Sequence, residues 1–151
     1  MTAGAHDLLE SLVDAGSFES WDTPVDHSAA GPEYDADLRR ARARAGTDES
    51  VLTGSGQVRG RRTALVVNEF RFLGGSIGEA AAARIAAAVT RATTERLPLL
   101  AVTASGGTRM QEGAPAFVRM AEIARAIARH RAAGLPYLAY LRQVFGLPPA
   151  P

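Results

Sequence analysis

A chain of 151 residues, 46 % hydrophobic and 22 % charged, is long enough to bury one hydrophobic core and too short for two comfortable domains, and this composition excludes wholesale disorder and the fibrous classes. The formal net charge of +1 gives no electrostatic reason to expect nucleic acid or an anionic membrane as partner, and the lack of cysteine excludes a disulfide framework, a thiolate metal site and a cysteine nucleophile. With no basic-then-apolar leader and no apolar run near the roughly 20 residues of a membrane span, a soluble cytoplasmic protein is expected.

Leu8, Leu9, Leu12 and Val13 recur at helical spacing and predict a short amphipathic helix over 6–15, capped by Gly16. Residues 17–32, rich in Ser, Asp, Pro and Gly around Phe18 and Trp21, read as an irregular segment pinned by its aromatics. A second helix is predicted over 33–45, acidic first and arginine-rich later as the helix dipole favours, with Gly46 as its stop and a solvated face. Two β-prone runs, 51–58 and 61–68, flank Arg59-Gly60 and predict a hairpin with a two-residue turn.

Gly74-Gly75-Ser76 then opens an alanine-rich helix over 79–95 whose core face is mostly methyl groups. A short apolar strand over 99–103 precedes a helix over 114–133, with Phe117, Met120, Ala121, Ala124, Ile127 and Ala128 as its buried stripe and Arg119, Glu122, Arg125 and Arg129 opposite. Gly134 caps that helix, and 135–141 reads as the next strand. Strand, helix, strand, helix, strand implies right-handed crossovers and a largely parallel sheet, so the class is α/β.

In such a sheet, ligands bind beyond the carboxyl ends of the strands, where Ser105-Gly106-Gly107 falls. Glycines there let a ligand oxygen approach bare N–H groups, an arrangement suited to an oxyanion or a phosphate; the alternative is a tight turn that needs positive φ. Arg109 can offer its fork of donors to an anion or pair with Glu112 three residues on, and Gln111 and Glu112 read equally as polar site groups or as an ordinary acidic helix start. A hydrolase built on Ser105 lacks the Gly-x-Ser-x-Gly context, and the histidines, at 6, 27 and 130, fall in the leading segment or on a helix. No metal-ligand spacing is present.

Ala104-Ser105-Gly106-Gly107-Thr108-Arg109-Met110-Gln111-Glu112-Gly113 resembles the Ser-Gly-Gly-Ala-Arg-x-Gln-Glu-Gly signature of the carboxyltransferase component of biotin-dependent acyl-CoA carboxylases, above all the β subunit of acetyl-CoA carboxylase. Leu12-Val13-Asp14-Ala15-Gly16-Ser17-Phe18-Glu19, Thr53-Gly54-Ser55-Gly56 with Arg59-Gly60, and Phe70-Arg71-Phe72-Leu73-Gly74-Gly75-Ser76-Ile77-Gly78 resemble its earlier segments, in order, from about residue 8 to about 142. The resemblance implies a crotonase-like fold of repeated β-β-α units and transfer of carboxylate from carboxybiotin to acetyl-CoA, giving malonyl-CoA for fatty acid biosynthesis. It implies Gly106 and Gly107 as catalytic backbone donors, and Ser105, Arg109, Gly74 and Gly75 as substrate-binding residues. It further implies biotin carried on a partner protein, an α-type carboxyltransferase half and a biotin carboxyl carrier protein as partners, an oligomer, and no metal, since the cysteines of the family's zinc ribbon are missing.

On this reading the chain divides into an N-terminal helical segment over 1–47, a partial crotonase-like carboxyltransferase domain over 48–142 and a divergent Pro-rich tail over 143–151. The family's next Thr-Thr-Gly-Gly type motif, which supplies a second oxyanion donor, is missing from these residues, and Pro148 and Pro149 do not suit a central strand. The expectation is therefore the first half of a carboxyltransferase domain, ended by truncation or a shifted frame. A non-catalytic acyl-CoA-binding or assembly fragment, a propionyl-CoA carboxylase and a malonate decarboxylase subunit are the alternatives.

Overall fold

The computed structural model describes residues 3–27 and 30–144. At its centre Val51–Val58 (β2) and Arg61–Asn68 (β3) pair antiparallel without a slip, from Val51 opposite Asn68 to Val58 opposite Arg61. Their turn holds Arg59 and Gly60 at φ of 51° and 79°, the twist that a two-residue hairpin requires. Glu19–Ser20 (β1) pairs antiparallel with β2 on its other side. Leu99–Ser105 (β4) lies parallel to β3 and Tyr137–Val144 (β5) parallel to β4, which gives one sheet in the order β1-β2-β3-β4-β5. Parallel neighbours need crossovers, and Glu79–Thr94 (α3) and Ala114–Ala132 (α4) supply them, as expected.

The sheet buries both faces of its central strands. Leu52, Leu65, Val67 and Val102 meet Ala5 and Leu9 of the first helix, Ala5–Leu12 (α1), on one face. Val51, Ala64, Val66, Leu99 and Ala101 meet Ala81, Ala82, Ala88, Val89 and Ala92 of α3 on the other. Each fully buried Val or Leu contributes about 1.5–3 kcal/mol, and the methyl face of α3 lets its backbone settle close to the strands. Pro32–Ala45 (α2) ends at Gly46, φ 70°, whose N–H bonds the Arg42 carbonyl. This helix is more than a solvated face: Leu38, Ala41 and Ala45 pack on Phe72, just beyond β3, so α2 covers the carboxyl end of the sheet.

Three sequence expectations need correction. α1 stops at Leu12, ahead of Gly16, because Val13 turns extended and the Asp14 carboxylate accepts the N–H groups of Arg59 (3.1 Å) and Gly60 (2.8 Å), tying the chain to the hairpin turn. Strand β5 begins at Tyr137 and runs on to Val144, so the first two residues of the segment expected to be a foreign tail continue the sheet; residues 145–151 lie outside the described residues. The predicted stripe of α4 splits. Met120 and Ile127 pack toward the core beside buried Ala116, Ala126 and His130, whereas Phe117, Ala121, Ala124 and Ala128 face outward. The cause is that α4 rests on α3 along its Ala116–Ile123–His130 line. His130 fastens this contact, with Nδ1 2.9 Å from Thr93 Oγ1 and Nε2 3.1 Å from the Pro136 carbonyl.

Candidate functional site

Two glycine turns leave the carboxyl ends of adjacent parallel strands and lock together. After β3, Leu73, Gly74 and Gly75 take left-handed φ of 47°, 64° and 67° in succession, a tight turn. After β4, Gly106 donates to the Gly74 carbonyl (2.9 Å), Ile77 donates to the Gly107 carbonyl (2.8 Å) and Arg109 donates to the Ile77 carbonyl (2.9 Å). A Cβ on Gly75 would overlap the Ala104 carbonyl, so this glycine admits the second turn itself.

The Gly106 N–H is therefore satisfied within the protein. The Gly107 N–H donates to Ser105 Oγ, two residues before it (3.0 Å), an acceptor on a rotatable hydroxyl. Thr108 sits in an isolated parallel bridge with Ile77, which bonds the flanking Gly107 carbonyl and Arg109 N–H and turns Thr108's own N–H the opposite way; among the described residues no acceptor takes it. Gly106 and Gly107 are exposed at this strand end, and Thr108 beside them is half-buried.

Arg109, expected to meet ligand, turns inward and is completely buried. Its Nη1 donates to Glu49 (3.1 Å), Glu112 (3.0 Å) and the Tyr34 hydroxyl (3.2 Å). Nη2 reaches Glu49 Oε1, Ser50 Oγ (3.2 Å) and the Ser76 carbonyl (2.8 Å), and Nε lies 3.3 Å from Ser76 Oγ. With acceptors around each nitrogen and no exposure, its fork is committed to the protein. The Arg109–Glu112 pair anticipated from spacing does form.

Glu112 has a second duty: Oε1 accepts the Glu79 N–H (2.7 Å) at the start of α3, while Oε2 accepts from Tyr34 and Arg109. A carboxylate at a helix N-terminus is favoured by the helix dipole, which offsets the second negative charge of the cluster.

Glu49 is fully buried as well. Burial alone would raise its carboxyl, but His27 Nε2 at 3.3 Å, the hydrogen bonds and charge of Arg109 and the Ser50 N–H outweigh it and hold the group down at about 2. The opposing pressures on Arg109 resolve upward: desolvation disfavours its charge, and Glu49 more than restores it. Burial and then the bond to Glu112 push the Tyr34 phenol well above its ordinary range, so it stays a donor. Glu49, Ser50, Ser76 and Tyr34 carried no sequence signal, because nothing local marks a Glu between Asp48 and Ser50 as buried. A groove of about 1040 Å³ opens beside this cluster between Asp26, His27, Tyr34, Asp37, Glu79 and Glu112. Its carboxylates make it unfavourable for a polyanion such as CoA.

A sequence model described as the carboxyl transferase domain matches residues 5–144. The probable biotin-dependent acyl-coenzyme A carboxylase beta3 subunit of Mycobacterium tuberculosis (strain ATCC 25618 / H37Rv) is 58 % identical over 135 residues, covering 89 % of this chain and 27 % of that protein. The acetyl-coenzyme A carboxylase carboxyl transferase subunit beta of Rubrobacter xylanophilus is 41 % identical over 142 residues, with coverage of 91 % and 54 %. Among solved structures, a malonate decarboxylase hetero-dimer from Pseudomonas superposes with a TM-score of 0.68 at 27 % identity, over 91 % of this chain and 51 % of its own. The chain thus spans about a quarter to a half of the length of these proteins. This superposition over nine-tenths of the chain, with its mixed sheet and crossover helices, defines a crotonase-like α/β protein. More particularly, the chain belongs to the carboxyl transferase domain family.

Proposed function

We propose that residues 105–108 form the acyl-CoA side of a carboxyltransferase site. The observation that carries this reading is the locked glycine turn at the carboxyl end of β4, where the Gly107 N–H meets a rotatable hydroxyl and the Thr108 N–H turns away from Ile77. Removing a proton beside a thioester builds negative charge on the thioester oxygen. Fixed N–H groups aimed at that oxygen lower the barrier and need no reorganisation during reaction. Gly107 would exchange its bond to Ser105 Oγ for one to the ligand oxygen, while Gly106 keeps the turn closed on Gly74. Gly74 and Gly75 shape the wall, and Arg109 acts from behind it.

The proposed acceptor is acetyl-CoA and the product malonyl-CoA. Carboxybiotin, brought on a carrier partner, supplies the carboxylate. Its ureido oxygen needs donors of its own, and the first glycine turn does not offer them in the same way, since the Gly75 N–H bonds the Phe72 carbonyl (2.9 Å). This favours the acyl acceptor for the described residues, and an α-type half in a larger assembly is proposed to hold the biotin. The same turn also favours a second reading, in which these residues bind acyl-CoA without turning it over.

Titration of the purified protein with acetyl-CoA and propionyl-CoA, followed by an assay of malonyl-CoA decarboxylation with free biotin, tests both. Binding with turnover supports the enzyme, binding alone the second reading, and no binding removes both. Ser105→Ala is expected to raise thioester affinity a few-fold, because the competing hydroxyl is gone. A fall in affinity would instead place that hydroxyl on the ligand.

A further inference from the structure

We infer that Tyr34 and Glu49 are positioning residues of this site, acting through Arg109 and Glu112 to fix the spacing of the two glycine turns; the inference rests on the acyl-CoA reading above. Neither residue reaches the exposed face at Gly107 and Thr108. Both hold the side chain that follows Thr108 directly in sequence. Arg109 crosses from the second turn to the first through the Ser76 carbonyl, and from there to the start of β2 through Glu49 and Ser50. Ser50 Oγ donates to the same Ser76 carbonyl (2.8 Å) and closes the ring. Glu112 makes a parallel link from the second turn to α3, the helix that the first turn begins.

Tyr34 completes both links from outside. It is the α2 residue that touches Arg109 and Glu112 together, so α2, whose own apolar side is fixed on Phe72, braces the pair. The charges close only if all members are present: Glu49 is matched by Arg109, and Glu112 by the α3 N-terminus and the Tyr34 hydroxyl. Removing one member of a buried charged cluster leaves the others uncompensated, and they move to find new partners. Movement of Arg109 carries the Thr108 backbone with it, and donors displaced by a fraction of an ångström no longer meet a developing oxyanion.

The test compares the unmodified protein with Tyr34→Phe, which keeps the ring and its packing, and with Glu49→Gln. Asp14→Asn, at the distant hairpin turn, serves as a destabilised control. Amide hydrogen exchange at Ile77 and Arg109 reads two of the three backbone bonds that join the turns, and titration with acetyl-CoA reads the donors. Tyr34→Phe is expected to speed exchange at both amides about tenfold and to weaken binding about tenfold, the scale of one hydrogen bond to a charged group, while Asp14→Asn changes neither. Glu49→Gln is expected to exceed Tyr34→Phe in both readouts wherever it folds. Tyr34→Phe with a lowered unfolding midpoint but unchanged exchange and affinity would overturn the inference. Should the unmodified protein bind no thioester, the functional reading fails, and hydrogen exchange alone decides whether Tyr34 and Glu49 set the turns.

Discussion

Gly75 holds φ at 67° and leaves no room for a Cβ beside the Ala104 carbonyl, so two separate requirements converge on one residue. Gly75→Ala is expected to lower stability by about 3 kcal/mol in urea unfolding, the sum of left-handed strain and forced separation of the turns. A loss below about 0.5 kcal/mol would show that the turns part freely, as ordinary surface changes do. Glu49 makes a pH prediction. Its carboxyl titrates near 4.5 when unfolded and at about 2 when folded, so between these values the unfolded state binds the extra proton. Its contribution, roughly 3 kcal/mol, is complete above pH 4.5 and is lost as pH falls toward 2. Unfolding midpoints measured from pH 6 to pH 2 should fall steeply in the unmodified protein. In Glu49→Gln they should start lower, because Arg109 keeps only Glu112 of its two carboxylates, and fall less.

Among the elements, the β2–β3 hairpin depends on a residue far from it in sequence. Asp14→Ala removes the acceptor of the Arg59 and Gly60 N–H groups, and since both return to solvent, a loss of about 1 kcal/mol is expected in urea unfolding with no change at the glycine turns. The hairpin itself was legible because its turn chemistry is local: Arg59-Gly60 between two β-prone runs leaves few other pairings. The stop of α2 and the start of α3 were legible for the same reason, since Gly46 and the glycines before α3 act on their own residues, whereas β1, inside the segment read as irregular, was not. The outer face of α4 was not. Apolar residues cover more than half its circumference, and which sector faces inward is decided by α3, which periodicity within α4 does not reveal. The site divides likewise. The glycine turns announce themselves, whereas the burial of Glu49 is set by a guanidinium 60 residues away, and the inward turn of Arg109 by Tyr34, 75 residues before it.

Across the whole molecule, the apolar surface is unevenly covered. Strand β5 is an edge of the described sheet, with Leu138, Tyr140 and Leu141 at 62 %, 60 % and 65 % exposure, and Phe117 and Val118 lie bare on the adjoining helix. Parallel sheets are ordinarily covered on both faces, and an open edge beside apolar side chains is prone to associate. The relatives it matches run to about two to four times the matched length. Concentration-dependent association of this chain is therefore expected, and the double change Leu138→Glu with Leu141→Glu is expected to reduce it. The substitutions address opposite faces of β5, because neighbouring residues of a strand alternate. They also move the formal net charge from +1 to −1, so the overall repulsion between molecules is unchanged in size and any gain in monomer must come from the strand itself. Sedimentation velocity over a range of concentrations gives the answer: a monomer that persists to several-fold higher concentration assigns the association to β5, and an unaltered profile assigns it to the Phe117 and Val118 side of α4.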